Sequence, residues 1–207
     1  MKNDYQIQAG AMSCKKCGSA LGQFSASPEE ALLRCLQCNT VYEEVLGDLH
    51  EVKLDFAQPP FHGREYIYLP FWQFLPNIKI FRRVIDKKSF LEAPVDTLKN
   101  RLYSPAFKFN DMKEIGNLCA FLTMNNPKYK LSPPYKFEVC IYNHFEAHRV
   151  ARSIFLLIEA QEKDKIFGMD YELILEDPRL VVLPFEVKGE TLSSSFVHME
   201  IHKRVLG

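Results

Sequence analysis

The sequence predicts an α+β protein, with a metal-binding segment over residues 1–48 and a mixed sheet-and-helix domain over residues 49–207. Three observations carry this. Two C-x-x-C pairs lie near the N-terminus. Runs rich in aromatic and β-branched residues recur through the remainder, which is strand composition. Two other stretches place apolar residues at spacings of three and four, the period of a helix.

A chain of 207 residues can bury about 70% of its unfolded surface and needs no disulfide to fold. With 47% apolar and 25% charged residues, the whole chain is neither disordered nor a coiled coil. Lys plus Arg number 26 and Asp plus Glu 26, so bulk charge does not drive nucleic-acid binding. The opening residues Met1-Lys2-Asn3-Asp4-Tyr5 lack the apolar core of a signal peptide. The most apolar helical stretch, Ile154 to Ile158, is far short of the about 20 residues a membrane span needs. The expected compartment is the cytoplasm.

Between the two parts, Val52, Leu54 and Phe56 alternate as in a strand before Pro59-Pro60 and His62-Gly63 break regular structure. Tyr66 to Phe74 and Ile78 to Ile85 read as strands, and Pro76-Asn77 between them suggests a hairpin. Asp111 caps an expected helix running to about Thr123, with Ile115, Leu118, Cys119 and Leu122 on one face. After Pro133-Pro134, Tyr135 to Tyr142 reads as a strand. The strongest helix runs from an Asn143 cap to about Lys163. Its stripe is Ala147, Val150, Ala151, Ile154, Leu157 and Ile158, widened by Phe155 and Leu156. Strands follow at Tyr171 to Leu175 and Arg179 to Val187. From Phe196 to Val205, strand alternation of Val197, Met199 and Ile201 competes with a helical reading, and the strand is preferred. Tyr68 to Phe74, Tyr103 to Phe109 and, more weakly, Val182 to Val187 look alike. They raise the possibility of internal duplication, against coincidence in a chain rich in Phe and Pro.

Cys14, Cys17, Cys35 and Cys38 form C-x2-C-x17-C-x2-C, the spacing of a four-thiolate metal site. Gly18 and Asn39 follow the two pairs, and these residue types most readily adopt the left-handed backbone such turns need. Lys15, Lys16 and Arg34 are close enough in sequence to offset thiolate charge. A full ligand set leaves no open position, so one structural Zn2+ is expected. Iron–sulfur binding suits the same ligands. A thioredoxin-like redox pair wants a βαβ context that is missing here.

Cys14-Lys15-Lys16-Cys17-Gly18 and Leu33-Arg34-Cys35-Leu36-Gln37-Cys38-Asn39-Thr40-Val41-Tyr42 resemble a zinc ribbon. The resemblance covers about the first quarter of the chain, residues 1–48. It implies β-hairpins carrying two zinc knuckles, as found in transcription, translation and assembly proteins. The remainder, with its Leu-Pro-Phe-Trp element, is similar to uncharacterised bacterial proteins with such a ribbon, to which no established activity attaches. Ser27-Pro28-Glu29-Glu30-Ala31 departs from a tight hairpin and could nucleate a helical turn.

Other chemistry is weakly signalled. His144 and His148 share a helix face without a third ligand, and read as exposed residues before they read as a metal site. His198, Glu200 and His202 share a strand face that reads as solvated. Cys119 and Cys140 read as buried thiols. No phosphate loop, dinucleotide fingerprint or nucleophile elbow occurs, so no catalytic residue is nominated. Over residues 1–48 acids outnumber bases, the opposite of a nucleic-acid-binding ribbon.

Two function classes follow. The first is a non-enzymatic protein-binding or assembly module, docking through Pro70-Phe71-Trp72 or, if those residues fill the core, through the ribbon. The alternative is a nucleic-acid-associated factor using the basic segment 79–108, where Lys79, Arg82, Arg83, Lys87, Lys88, Lys99, Arg101 and Lys108 face Asp86, Glu92 and Asp96.

Overall fold

The computed structural model describes residues 12–25, 27, 29–85, 88–91, 100–162 and 166–207, with side chains described at all of these except 83, 85, 88–91, 162, 166 and 167. The fold is α+β. An N-terminal four-stranded antiparallel meander consists of β1 (Leu21–Gln23), β2 (Leu32–Cys35), β3 (Val41–Val45) and β4 (Asp48–Glu51), in that spatial order. The platform begins with β5 (Leu54–Phe56) and is dominated by two very long strands, β6 (Tyr66–Ile85) and, far along the chain, β9 (Ile166–Lys188). Between these come β7 (Lys88–Leu91), β8 (Leu102–Pro105), α1 (Met112–Asn125) and α2 (His144–Glu162). The chain closes with β10 (Thr191–Ser194), β11 (Met199–His202) and a short 3-10 turn, Lys203–Val205.

β6 and β9 pair antiparallel from Tyr66↔Glu186 to Ile85↔Ile166 and form the spine. β10 and β11 extend the sheet beyond β9, β7 and β8 pair with β6, and β5 joins β9 in parallel. The hairpin expected at Pro76-Asn77 does not form. β6 runs straight through, with Pro76 opposite Leu175 and Asn77 opposite Ile174. The strands expected at Tyr171 to Leu175 and Arg179 to Val187 are likewise one strand. Proline is tolerated in a strand where its missing N–H faces no ladder. β8 pairs only with residues 71–74 and β7 only with 82–85, so Pro76 lies in the gap between them. Pro184 sits in the equivalent gap on β9, between the pairings of β5 and β10. Of the look-alike segments, Tyr68 to Phe74 and Val182 to Val187 lie within the adjacent strands β6 and β9, while Tyr103 to Phe109 starts on β8 and leaves it after Pro105.

The stretch Tyr135 to Tyr142, expected as a strand, is irregular. Its backbone bonds are scattered singly: Glu138 N–H donates to Tyr68 O, Ile141 N–H to Ala106 O, and Cys140 O accepts from Ala31 N–H. No single partner strand offers it a ladder. The Ser27 to Ala31 segment makes an isolated turn bond, Glu30 N–H to Ser27 O, and no helix; Pro28 lies outside the described residues.

The helices follow their stripes. Asp111 accepts from Lys113 N–H and Glu114 N–H at the start of α1, and Ile115, Leu118, Cys119 and Leu122 are buried. On α2, Ala147, Ala151, Ile154, Phe155 and Ile158 are buried, Val150 and Leu157 half-buried, and Leu156 is exposed, contrary to expectation. The expected end at Lys163 lies outside the described residues. α2 packs on the sheet face bearing Trp72 and Ser104, which are register partners: Trp72 Nε1–H donates to Tyr142 O and Ser104 Oγ–H to Ala147 O. At the C-terminus the strand expected over Phe196 to Val205 is confined to Met199–His202, where Ile201 is buried and Glu200 and His202 exposed; the buried Val197 and the exposed His198, at φ 49°, lie in the turn before it, and Lys203–Val205 form a 3-10 turn.

One bulge on β9 sets side-chain positions. Gln73↔Arg179 is followed by Leu75↔Glu176, so Asp177 and Pro178 face a single residue of β6. Asp177 sits at φ 44° and gathers three cations: Arg101 binds its Oδ2 and its carbonyl, Lys53 Nζ lies 3.0 Å from Oδ1, and Arg179 Nε 3.1 Å from Oδ2. Hydrogen bonds from Arg101 and then Lys53, with further attraction from Arg101 and Arg179, hold its carboxyl well below the usual carboxylate range.

Ile154→Ala on α2 is expected to cost about 2–5 kcal/mol in denaturant unfolding, the range for a core aliphatic truncation. A cost below about 0.5 kcal/mol would mean a surface position. Asp177 supplies stability that is present above the unfolded carboxyl value of about 3.9 and is lost as pH falls toward the lower folded value. Asp177→Asn is therefore expected to destabilise the protein at pH 7 and to narrow its gap to wild type in unfolding curves below pH 4.

Candidate metal centre

The two cysteine turns are near copies of each other. In the first, Gly18 N–H donates to Cys14 O at 2.9 Å and Cys14 N–H to Ser19 O at 2.8 Å. In the second, Asn39 N–H donates to Cys35 O at 3.0 Å and Cys35 N–H to Thr40 O at 2.9 Å. Gly18 has φ +75° and Asn39 φ +58°, the left-handed backbone the sequence called for. Each turn also aims a backbone N–H at its own first sulfur: Lys16 N–H at Cys14 Sγ and Cys38 N–H at Cys35 Sγ, both at 3.4 Å. The Ser19 hydroxyl bonds Gln37 Oε1 and links the two turns.

All four sulfurs lie within 4.8 Å of one another, with Cys14–Cys38 at 3.6 Å and Cys17–Cys35 at 3.5 Å. A disulfide would need about 2.05 Å. A tetrahedral ion with metal–sulfur bonds of about 2.3 Å places its ligands about 3.8 Å apart. The set therefore fits a four-coordinate metal ion. Among the described residues it is the only group of three or more candidate ligands this close together.

Hydroxyl groups complete the surroundings. Tyr42 Oη is 3.3 Å from Cys14 Sγ and Thr40 Oγ1 is 3.1 Å from Cys38 Sγ, both placed to donate to thiolates. The Tyr42 hydrogen bond, outweighing burial, pulls the Cys14 thiol down to about 6. Thr40 lowers Cys38 in the same way. At Cys35 the Cys38 N–H lowers the thiol, but burial and the Cys17 and Cys38 sulfurs prevail and push it up to about 11. Two of the basic side chains expected to offset thiolate charge, Lys15 and Arg34, make other contacts. Lys15 Nζ donates to Leu49 O at 2.6 Å, and Arg34 lies over the Phe24 ring at 6.0 Å. O–H and N–H dipoles take their place.

A second polar cluster joins the ribbon to the platform. Glu43, 2% exposed, accepts from His144 N–H at 2.7 Å through Oε2 and from His144 Nδ1 at 2.6 Å through Oε1. It satisfies a first-turn donor of α2 and places negative charge at the positive end of that helix. Asn143 caps α2 as expected: Glu146 N–H donates to its Oδ1 and its N–H to Glu146 Oε2, a capping box. His144 is thus not a free surface residue. Its ring lies 5.8 Å from that of His50, 6.0 Å from Trp72 and 5.7 Å from His148. His148 Nε2 is buried without a hydrogen-bond partner among the described residues, and burial, then His144 and Arg152, lowers its pKa. The sequence reading missed Glu43 and His50. The available signal was Glu43 on the same strand face as Val41 and Val45, an acid at an apolar position.

Elsewhere, Cys119 and Cys140 are buried and their thiols pushed up by desolvation. Glu200 pairs with Lys188 at 3.3 Å, and His202 N–H donates to Glu114 Oε1 at 2.5 Å, without assembling a ligand set. In the basic stretch, Lys79 pairs with Glu172, Arg82 with Asp170, Arg101 with Asp177 and Lys108 with Glu29. The side chains of Arg83, Asp86, Lys87, Lys88, Glu92, Asp96 and Lys99 lie outside the described residues. Phe71 and Trp72 are 0% and 1% exposed, so the Pro70-Phe71-Trp72 segment belongs to the core and offers no docking anchor. No family model matches the chain, and neither a curated protein nor a solved structure matches it.

Cys35→Ser is expected to abolish stoichiometric metal binding by elemental analysis. Two-dimensional NMR of the same variant should show the β1–β4 resonances collapsed and the β6–β9 resonances retained. The His144 amide should exchange faster, because its acceptor Glu43 stands on β3. A variant that keeps one equivalent of metal would exclude Cys35 as a ligand.

Proposed function

We propose that this protein is a non-enzymatic protein-binding or assembly module whose ribbon is held rigid by one structural Zn2+. The observation that carries this reading is the closed set of four sulfurs at Cys14, Cys17, Cys35 and Cys38. Four protein ligands leave no position for substrate or water, so the ion's role is to fold the ribbon and fix its loops.

Two loop tips support a docking role. Leu46, at the β3–β4 turn, has φ 54° and is 89% exposed. Gly, Asn and Asp dominate such turn positions because other side chains are strained there. A leucine in that place costs stability and gains nothing from burial within the chain, which fits an anchor for another protein. Leu36, at the tip of the second knuckle, is 72% exposed. A cleft of about 620 Å3 lies at the seam of ribbon and platform, lined by Phe24, Arg34, Val52, Phe56 and Leu131 among others. The nucleic-acid alternative has less support, since four cations of the basic segment are already paired with carboxylates.

Metal-replete protein is expected to contain zinc near one equivalent; iron with a visible charge-transfer band would overturn the zinc assignment. Leu46→Asn suits the left-handed turn and is expected to leave the melting temperature unchanged or raised. The same variant should lose at least tenfold in affinity for the protein that copurifies with wild type. Unchanged affinity in both Leu46→Asn and Leu36→Ser would remove the loop tips as the docking surface. Salt-sensitive binding to generic RNA would favour the alternative.

A further inference from the structure

Within the platform, one row of side chains is polar where its neighbours are apolar. On β6 the run Phe71 to Phe74 is buried throughout, and Gln73, 5% exposed, is its polar member. Register fixes what stands beside it. Gln73 is opposite Tyr103 of β8 on one side and Arg179 of β9 on the other. Directly opposed residues point to the same face of a sheet. Asp55 of β5 is opposite Val181, two residues along from Arg179 and therefore on that face too. Tyr103, Gln73, Arg179 and Asp55 thus form a row across four strands, on the face away from Trp72 and α2. The segment following α1 passes over the row. It starts at Asn126, whose φ of 41° ends the helix, and continues through Pro127, Lys128 and Tyr129. With Arg101 these residues line an open cleft of about 450 Å3.

The charge in this cleft is unbalanced. Arg101, Arg179 and Lys128 line it and Lys53 adjoins it through Asp177. Among the lining residues three cations stand against one carboxylate, Asp55, with Asp177 and Glu176 adjoining on the β9 side, so the cleft stays net positive. Lys128 is exposed and has no ion-pair partner among the described residues. The bulge at Asp177 keeps the two guanidinium groups in place, as bulges near binding sites commonly re-aim side chains. Tyr129 Oη lies 3.3 Å from Gln73 Nε2, and burial holds both the Tyr129 and Tyr103 phenols in the protonated form. The site therefore offers cations and neutral O–H and N–H donors, with Asp55 as an acceptor at its rim.

We propose that this cleft binds a phosphate monoester carried on a small hydroxylated molecule of sugar-phosphate size. A phosphate monoester carries about −1.5 to −2 charge at neutral pH and three acceptor oxygens, so it engages Lys128 and the two arginines together more fully than a monocarboxylate does. Arg101 and Arg179 each turn one donor pair on Asp177 and keep their remaining N–H groups for a phosphoryl oxygen, and Lys128 supplies an uncommitted point charge. Asp55 accepts from a ligand hydroxyl. The volume lies in the range of small-molecule sites, about 300–1,000 Å3. This assignment does not depend on the ribbon's docking role.

The test uses the full-length metal-replete chain, titrated with ribose 5-phosphate, inorganic phosphate and acetate at constant ionic strength. Binding is followed by calorimetry and by amide shifts of Lys128 and Tyr129. Saturable one-to-one binding is expected for ribose 5-phosphate, weaker binding for phosphate and none for acetate. Lys128→Ala, a surface change that leaves the fold intact, should weaken ribose 5-phosphate at least tenfold, and Arg179→Gln should do the same. Should Arg179→Gln unfold through loss of its Asp177 contact, Tyr129→Phe serves as the second variant, with an expected loss of at least threefold. Absence of saturable binding, equal binding of acetate and phosphate, or affinity unchanged in Lys128→Ala would overturn the proposal.

Discussion

The long antiparallel pairing of β6 with β9 is the constraint on which the rest of the fold depends. The two strands are separated by about eighty residues of chain, yet they run together from Tyr66↔Glu186 to Ile85↔Ile166. Every other platform strand attaches to one of them except β11, which pairs with β10. α2 packs on one face through Trp72 and Phe74, and the segment after α1 crosses the other at Gln73. Pro76 and Pro184 each occupy a stretch where the second side has no ladder, so the chain keeps both length and conformational restriction.

One buried carboxylate ties the ribbon to α2, alongside the packing of Leu32 and Val41 in the platform core and the Ala31 N–H bond to Cys140 O. Glu43 serves two chemical purposes at once: it completes the N-terminal turn of α2 and it fixes the His144 ring. Burying a charge is costly unless the charge is hydrogen-bonded on both oxygens, which is the case here. The knuckles on the far end of β3 are organised by backbone geometry and by Tyr42 and Thr40, one of which lies on β3 itself.

Features set by near neighbours were legible in the sequence. Cysteine spacing, the left-handed Gly18 and Asn39, the Asp111 and Asn143 caps and the buried stripes of both helices all follow from residues within a few positions of one another. Features set by distant pairing were not. Pro76-Asn77 has the local chemistry of a turn, but whether proline breaks a strand depends on what lies beside it, and only the placement of β7 and β8 decides that. The aromatic run at Trp72 reads equally as an anchor or as core, and the α2 contact makes it core. Glu43 was open to inference from its place between Val41 and Val45. The row Tyr103, Gln73, Arg179 and Asp55 was not, because three strand registers must be known before those residues become neighbours.

The Glu43 bridge gives metal occupancy a reach beyond the ribbon. An ion that binds only the folded knuckles stabilises whatever folds with them, by an amount that grows with the logarithm of free ion over the dissociation constant. Because β3 carries both Tyr42, against the sulfurs, and Glu43, against the helix, the order imposed by the ion passes through two adjacent residues into the start of α2. For a chain whose four sulfurs hold an ion, metal supply and the integrity of a helix end more than a hundred residues along the chain from Cys14 are thermodynamically linked. The affinity of the knuckles must in turn reflect how firmly α2 holds its end of the bridge.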